Sequence, residues 1–137
     1  MTDAAERAEG VAVRRAVRLV LDRERVGAAV VDVTMLSGQR MRALNRRAFG
    51  HDRATDVLAF GMRHGDTLVG DIYLCPPVAR RAAARYGIPL REEILRLAIH
   101  GTLHAIGYDH PVDAPRERSP MWRRQERYLA ALRTRAR

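Results

Sequence analysis

Three of the five histidines in the chain, His100, His104 and His110, fall within the run IHGTLHAIGYDH. On a helix, positions i and i+4 share a face, with Cβ atoms ~5–6 Å apart. Two imidazole nitrogens, each ~2.0–2.1 Å from one tetrahedral zinc, lie within reach of such a pair. Gly107 accepts a positive φ, so it ends the helix and lets the chain bring His110 back to the same point. Three neutral nitrogen ligands and a fourth position left to water make the plan of a catalytic zinc site rather than a closed structural one. The plain alternative, two half-buried core histidines and a loop histidine, leaves the spacing to chance.

The same spacing, with glycine at offset seven, occurs in the metzincin peptidase motif H-E-x-x-H-x-x-G-x-x-H, where the glutamate after the first histidine is the general base. Gly101 stands at that position and can move no proton. The metal plan is kept and the peptidase chemistry is missing, so a zinc peptidase-like hydrolase is the weakest of the functional readings.

The histidines need a rigid support, and the pattern from Pro89 to Ile106 supplies one. It reads as a helix with Glu92 and Glu93 in its first turn, where the dipole favours acids, and with apolar residues nearly all round from Leu95 onward. This is the expected central, buried helix. Before it, residues 11–25 read as a helix closed by Gly27, and Ala28 to Leu36 as a strand rich in β-branched residues. Ser37 is the expected N-cap of a second helix with the stripe Met41, Leu44 and Ala48. Val57–Phe60 and Thr67–Cys75 form a hairpin about the turn Arg63–Asp66, and Pro76-Pro77 open a helix that Gly87 ends. A last helix starts at Ser119-Pro120, with Met121, Trp122, Gln125, Tyr128, Leu129 and Leu132 along one side. The order α-β-α-β-β-α-α-α predicts an α+β fold, a small mixed sheet packed with about five helices. Residues 1–137 are read as one domain, with 1–10 and 134–137 frayed.

Composition narrows the partners. No apolar run approaches ~20 residues, which gives no membrane span, and the acidic start Met1-Thr2-Asp3-Ala4-Ala5-Glu6 is no secretory signal. The lone Cys75 has no internal disulfide partner and reads as a buried thiol. Together these point to the cytoplasm. The net charge is +9, and all 25 basic residues are arginine. Guanidinium groups bind phosphate in a bidentate way, so nucleic acid is the natural class of partner. Two stretches concentrate the charge: residues 37–53, with five arginines against Asp52, and residues 116–137, with eight arginines against two glutamates.

His100 to His110 closely resembles the H-G-x-L-H-L-x-G-Y-D-H motif of the YbeY proteins, bacterial zinc-dependent endoribonucleases of ribosomal RNA maturation and ribosome quality control. Two further blocks agree in order. Leu44-Asn45, then Asp52 and Thr55-Asp56-Val57-Leu58-Ala59-Phe60, resembles the family block L-N…D-x-P-T-D-V-L-S-F, and Gly70-Asp71-Ile72 resembles its G-D-I strand. The likeness spans roughly residues 30–132. It implies a single zinc ion held by His100, His104 and His110, single-strand-preferring cleavage of RNA, and the ribosomal small subunit or its assembly factors as partners. Four family positions differ: Phe49 replaces the usual arginine, Ala54 the proline before Thr55, and Ala59 and Gly61 the serine and proline around Phe60. Arg46, Arg47 and Arg53 are the candidates to supply the charge missing at Phe49. Asp71 and Asp56 are candidate acid–base groups, each with an ordinary turn or strand-end role as the favoured alternative. Asp109 is a candidate partner for a ligand imidazole, with capping of the turn after Gly107 as its alternative role. Against the nuclease stands a zinc-stabilised RNA- or ribosome-binding module with little or no cleavage, motivated by Phe49 and the basic C-terminal helix.

Overall fold

The computed structural model describes residues 4–109 and 119–135, with side-chain surroundings for 9–109 and 119–134. Among the described residues the elements are α1 (Ala4–Arg23), β1 (Ala29–Met35), α2 (Gly38–Phe49), β2 (Val57–His64), β3 (Thr67–Leu74), α3 (Pro76–Tyr86), α4 (Leu90–Ile106) and α5 (Pro120–Arg135). This is the α+β order expected. The sheet runs β1-β3-β2, with β1 parallel and β2 antiparallel to β3, so it is mixed.

The local signals explain the boundaries. Ser37 caps α2 by accepting from the Arg40 amide at 3.2 Å, and Ser119 caps α5 by accepting from the Trp122 amide at 3.0 Å. Pro76 starts α3, and Gly87 ends it in the left-handed region, φ 67°. Gly107, φ 130°, ends α4 while its amide reaches back to the Leu103 and His104 carbonyls. Two elements outgrow the expectation. α1 starts at Ala4, because Ala4 to Glu9 are good helix formers although they carry no apolar stripe. β2 continues to His64, because antiparallel pairing with Thr67–Leu74 carries Gly61 to His64 along regardless of their propensity.

The period of two divides the sheet. Leu68, Gly70, Ile72 and Leu74 alternate inward with Val31, Val33, Val57 and Ala59, and α4 lies across them. In α4, Gly101 and Ala105 face the sheet. Ile99 and Leu103 face away from it, into a second cluster with Ala16, Leu19 and Val20 of α1 and Met121, Tyr128 and Leu129 of α5. Ile94, Ile99 and Leu103 have no exposed surface, and each contributes about 1.5–3 kcal/mol by leaving water. The central, buried character expected of α4 is what the structure has. A groove of about 940 Å³ runs between α1 and the outer edge of β1, lined by Val13, Val17, Leu21, Val31, Val33 and Leu90; among the described residues no histidine borders it.

Candidate metal centre

His100 and His104 stand one turn apart on the flank of α4 between its sheet-facing and its outward-facing sides. Their ring centroids are 5.1 Å apart, with planes at 80°. His110, the expected third ligand, lies outside the described residues. Among the described residues no third histidine, cysteine or carboxylate completes a metal-binding group with this pair.

The second helix on this flank, α5, supplies a partner that sequence reasoning had assigned only to packing. Gln125, 2% exposed, places Oε1 2.8 Å from His100 Nδ1. The orientation of the amide is set by its other end, where Nε2 donates to Glu126 Oε2 at 3.0 Å. With the oxygen thus facing the ring, His100 Nδ1 is the donor of this bond. An outer hydrogen bond that fixes the tautomer of an imidazole is the usual support of a metal-binding histidine. The donor set fits an imidazole-binding divalent ion.

The support continues along α4. Glu126 accepts from Arg96 at 3.0 and 3.2 Å, and Arg96 donates also to Glu93 at 2.9 Å. Burial pushes the Glu93 carboxyl above the usual glutamate range, against the pull of Arg96, with Asp56 at the head of β2 adding to the rise. Glu93, His100 and His104 share one face of α4, so β2 lies under the histidine flank. Val57 and Gly61 confirm that course: Val57 packs near Gly101, and Gly61 lies against the Ala105 carbonyl.

A second polar cluster holds the chain as it leaves α4. Tyr108 Oη donates to Glu24 Oε1 at 2.7 Å, Tyr128 donates to Glu24 Oε2, and Arg124 pairs with the same carboxylate at 2.9 Å while lying over the Tyr108 ring. Burial raises the Glu24 pKa, but the bonds from Tyr128 and Tyr108 and the Arg124 charge outweigh it and leave the carboxyl below its ordinary value. Tyr108 therefore ties the chain just after α4 to the end of α1 and to α5.

The other candidates are distributed. Asp109 is 89% exposed, with Oδ1 3.6 Å from His104 Nδ1, a separation too long for a hydrogen bond. Asp71 does not join the histidines. It pairs in register with Phe60 and Asp32 and points from the face of the sheet opposite α4, because Gly70 and Ile72 on either side take the inward positions. Arg46 and Arg47 are exposed in the last turn of α2, and Arg53 is exposed in the loop that follows. Asn45, buried, donates to the Arg53 carbonyl at 3.1 Å and so fixes that loop, while Arg42 holds Asp52 by two bonds of 2.8 and 3.0 Å.

The family model described as "Endoribonuclease YbeY" matches residues 3–133. The chain belongs to the YbeY family. Among curated YbeY endoribonucleases, that of Chlorobium phaeovibrioides is 37% identical over 119 residues, covering 87% of this chain and 79% of the relative. That of Aromatoleum aromaticum is 41% identical over 106 residues, covering 77% and 68%. A protein of Thermotoga maritima solved in solution superposes with a TM-score of 0.65 at 26% identity, covering 98% of this chain and 87% of its own. The YbeY match spans all eight elements apart from the last residues of α5. No described helix is long and apolar enough to cross a membrane.

Proposed function

We propose that this YbeY chain is a zinc-dependent, single-strand-preferring endoribonuclease of ribosomal RNA processing and ribosome quality control. His100, His104 and His110 are its metal ligands, and the cytoplasm, on the ribosomal small subunit or its assembly factors, is its place of work. The observation that carries this reading is the His100–Gln125 bond beside His104 in a chain of an endoribonuclease family. When bound, zinc supplies Lewis acidity toward a phosphoryl oxygen and a water of lowered pKa.

The chain's own residues do the rest. Gln125 keeps the His100 proton on Nδ1 and so orients the ring. Arg46, Arg47 and Arg53 bind RNA phosphates and hold the strand against the protein. Asp109, exposed beside His104, remains the candidate partner for that imidazole, with capping of the turn after Gly107 as its other role. Gly101 supports phosphodiester over peptide chemistry, since it packs on the sheet and carries no base.

The arginine density of α2 also favours a second reading, a zinc-stabilised RNA- or ribosome-binding module with little cleavage. One experiment separates the two: cleavage of a labelled ribosomal RNA fragment by zinc-loaded wild type and by His104→Ala, with zinc content and folding measured in both. Cleavage by wild type alone is the expected result. A folded, zinc-bearing wild type that binds the fragment and leaves it intact would establish the binding module instead.

A further inference from the structure

The chain has two phenylalanines, and they lie on one another. Phe49, at the end of α2, and Phe60, in β2, have ring centroids 5.7 Å apart and planes within 8°. Phe60 in turn meets Tyr73 of β3 edge-on, at 6.1 Å and 74°. Phe60 covers one face of Phe49, yet Phe49 remains 51% exposed. Its exposure therefore belongs to the opposite face and rim, a flat hydrocarbon surface turned to water on a rigid aromatic base. Leaving such a face in water forgoes the stabilisation that burial would bring, so it is a place where something can be gained by binding.

The neighbours of that face are cations. Arg46 and Arg47 precede Phe49 in the last turn of α2, and Arg53 follows in the loop fixed by Asn45. Arg42 is committed to Asp52, whereas the other three side chains are exposed without a carboxylate bonded to them among the described residues. A protein partner that buried Phe49 would have to bury or neutralise these guanidinium groups as well. A nucleotide matches both features at once: the π-face of any base stacks on an aromatic ring, and its phosphates pair with arginine.

The platform lies across β2 from the metal-centre candidate. Phe60 precedes Gly61, which lies against the carbonyl of Ala105, the neighbour of His104. Strand alternation turns Gly61 toward α4 and Phe60 away from it, so the aromatic pair and the histidine flank occupy the two sides of β2. An RNA seated on Phe49 would have to cross the edge strand β2 to reach the histidines.

We propose that Phe49, backed by Phe60 and flanked by Arg46, Arg47 and Arg53, is a stacking platform for one base of a single-stranded RNA. The proposal rests on RNA being the ligand, as in the function above, and is independent of cleavage. The test is binding by fluorescence anisotropy to a short single-stranded oligoribonucleotide, checked afterwards for intactness, and to an abasic ribose-phosphate oligomer of equal length. Phe49→Ala and Phe49→Leu are expected to weaken RNA binding about ten-fold. Leucine keeps apolar contact with Phe60 without a planar face, and thermal melting reports on the fold of both variants. Phe49→Trp is expected to stay within about two-fold of wild type and to show indole quenching on RNA addition, and no variant changes affinity for the abasic oligomer. Equal losses for both oligomers, unchanged RNA affinity in Phe49→Ala, or a wild type that binds RNA no better than the abasic chain would overturn the platform. A wild type that binds without cutting refutes the nuclease and leaves the platform standing; one that cuts while Phe49→Ala binds normally does the reverse.

Discussion

Gln125 Oε1 lies 2.8 Å from His100 Nδ1, and the amide that presents it is anchored at its far end by Glu126. α5 thus dictates the tautomer of a histidine on α4. Gln125→Ala leaves His100 without that acceptor, so the proton is no longer held on Nδ1. Zinc affinity is expected to fall 10–100-fold, the usual loss when an outer partner of a metal-binding histidine is removed. Competition with a chromophoric chelator measures it, and an unchanged affinity would show that the ring is oriented by other contacts.

Glu24 gives the fold a sensitivity to acid. Its carboxyl is 8% exposed and takes bonds from Tyr108, Tyr128 and Arg124, so its folded pKa lies below the ordinary 4.5. A depressed carboxylate pKa stabilises the folded state above the unfolded pKa, and that contribution disappears as pH falls through the folded value. Stability is expected to decline below pH 4.5, and Glu24→Gln to flatten the decline while costing about 2 kcal/mol at neutral pH. Urea melts of both proteins from pH 7 to pH 3 decide this; parallel curves would remove Glu24 from the account.

Gly61 sets the spacing of strand and helix. A Cβ built there would stand 2.1 Å from the Ala105 carbonyl oxygen, a backbone atom that cannot swing aside. Gly61→Ala is expected to cost about 3 kcal/mol by prising β2 from α4. The midpoint of chemical denaturation reads the loss directly, and zinc affinity should weaken with it, since β2 underlies the histidine flank.

Arg46 and Arg47 should act on RNA through charge alone. Changing each to Gln is expected to lower the slope of log affinity against log salt by roughly 0.7, the value for one phosphate contact on a single strand. Binding series between low and moderate salt test it, and an unaltered slope would place the RNA elsewhere.

The contrast between what could and could not be read in the chain has a physical basis. Caps, turns and stripes are written in adjacent residues, which is why Ser37, Pro76, Gly87, Gly107 and Ser119 mark their boundaries where the structure has them. The i, i+4 histidines belong to the same class. The link from Gln125 to His100 spans 25 residues and that from Tyr108 to Glu24 spans 84. Neither leaves a local signature: Gln125 reads as one more position along one side of α5, and nothing beside Tyr108 in sequence points to Glu24. Asp71 carried two readings, acid–base group or ordinary strand residue, and strand alternation puts it across the sheet from α4.

Gly101 marks how far this chain is from peptide hydrolysis. It occupies the position of the peptidase glutamate, yet a Cβ there would stand 2.8 Å from Ile72 Cγ2 and 3.4 Å from Val57 Cγ2, pointing into the sheet. A carboxylate introduced at this position would be pressed among buried aliphatic groups, away from the His100–His104 flank. To present a base to the metal flank from this position, α4 would have to roll on the sheet and Ile72 and Val57 would have to give way.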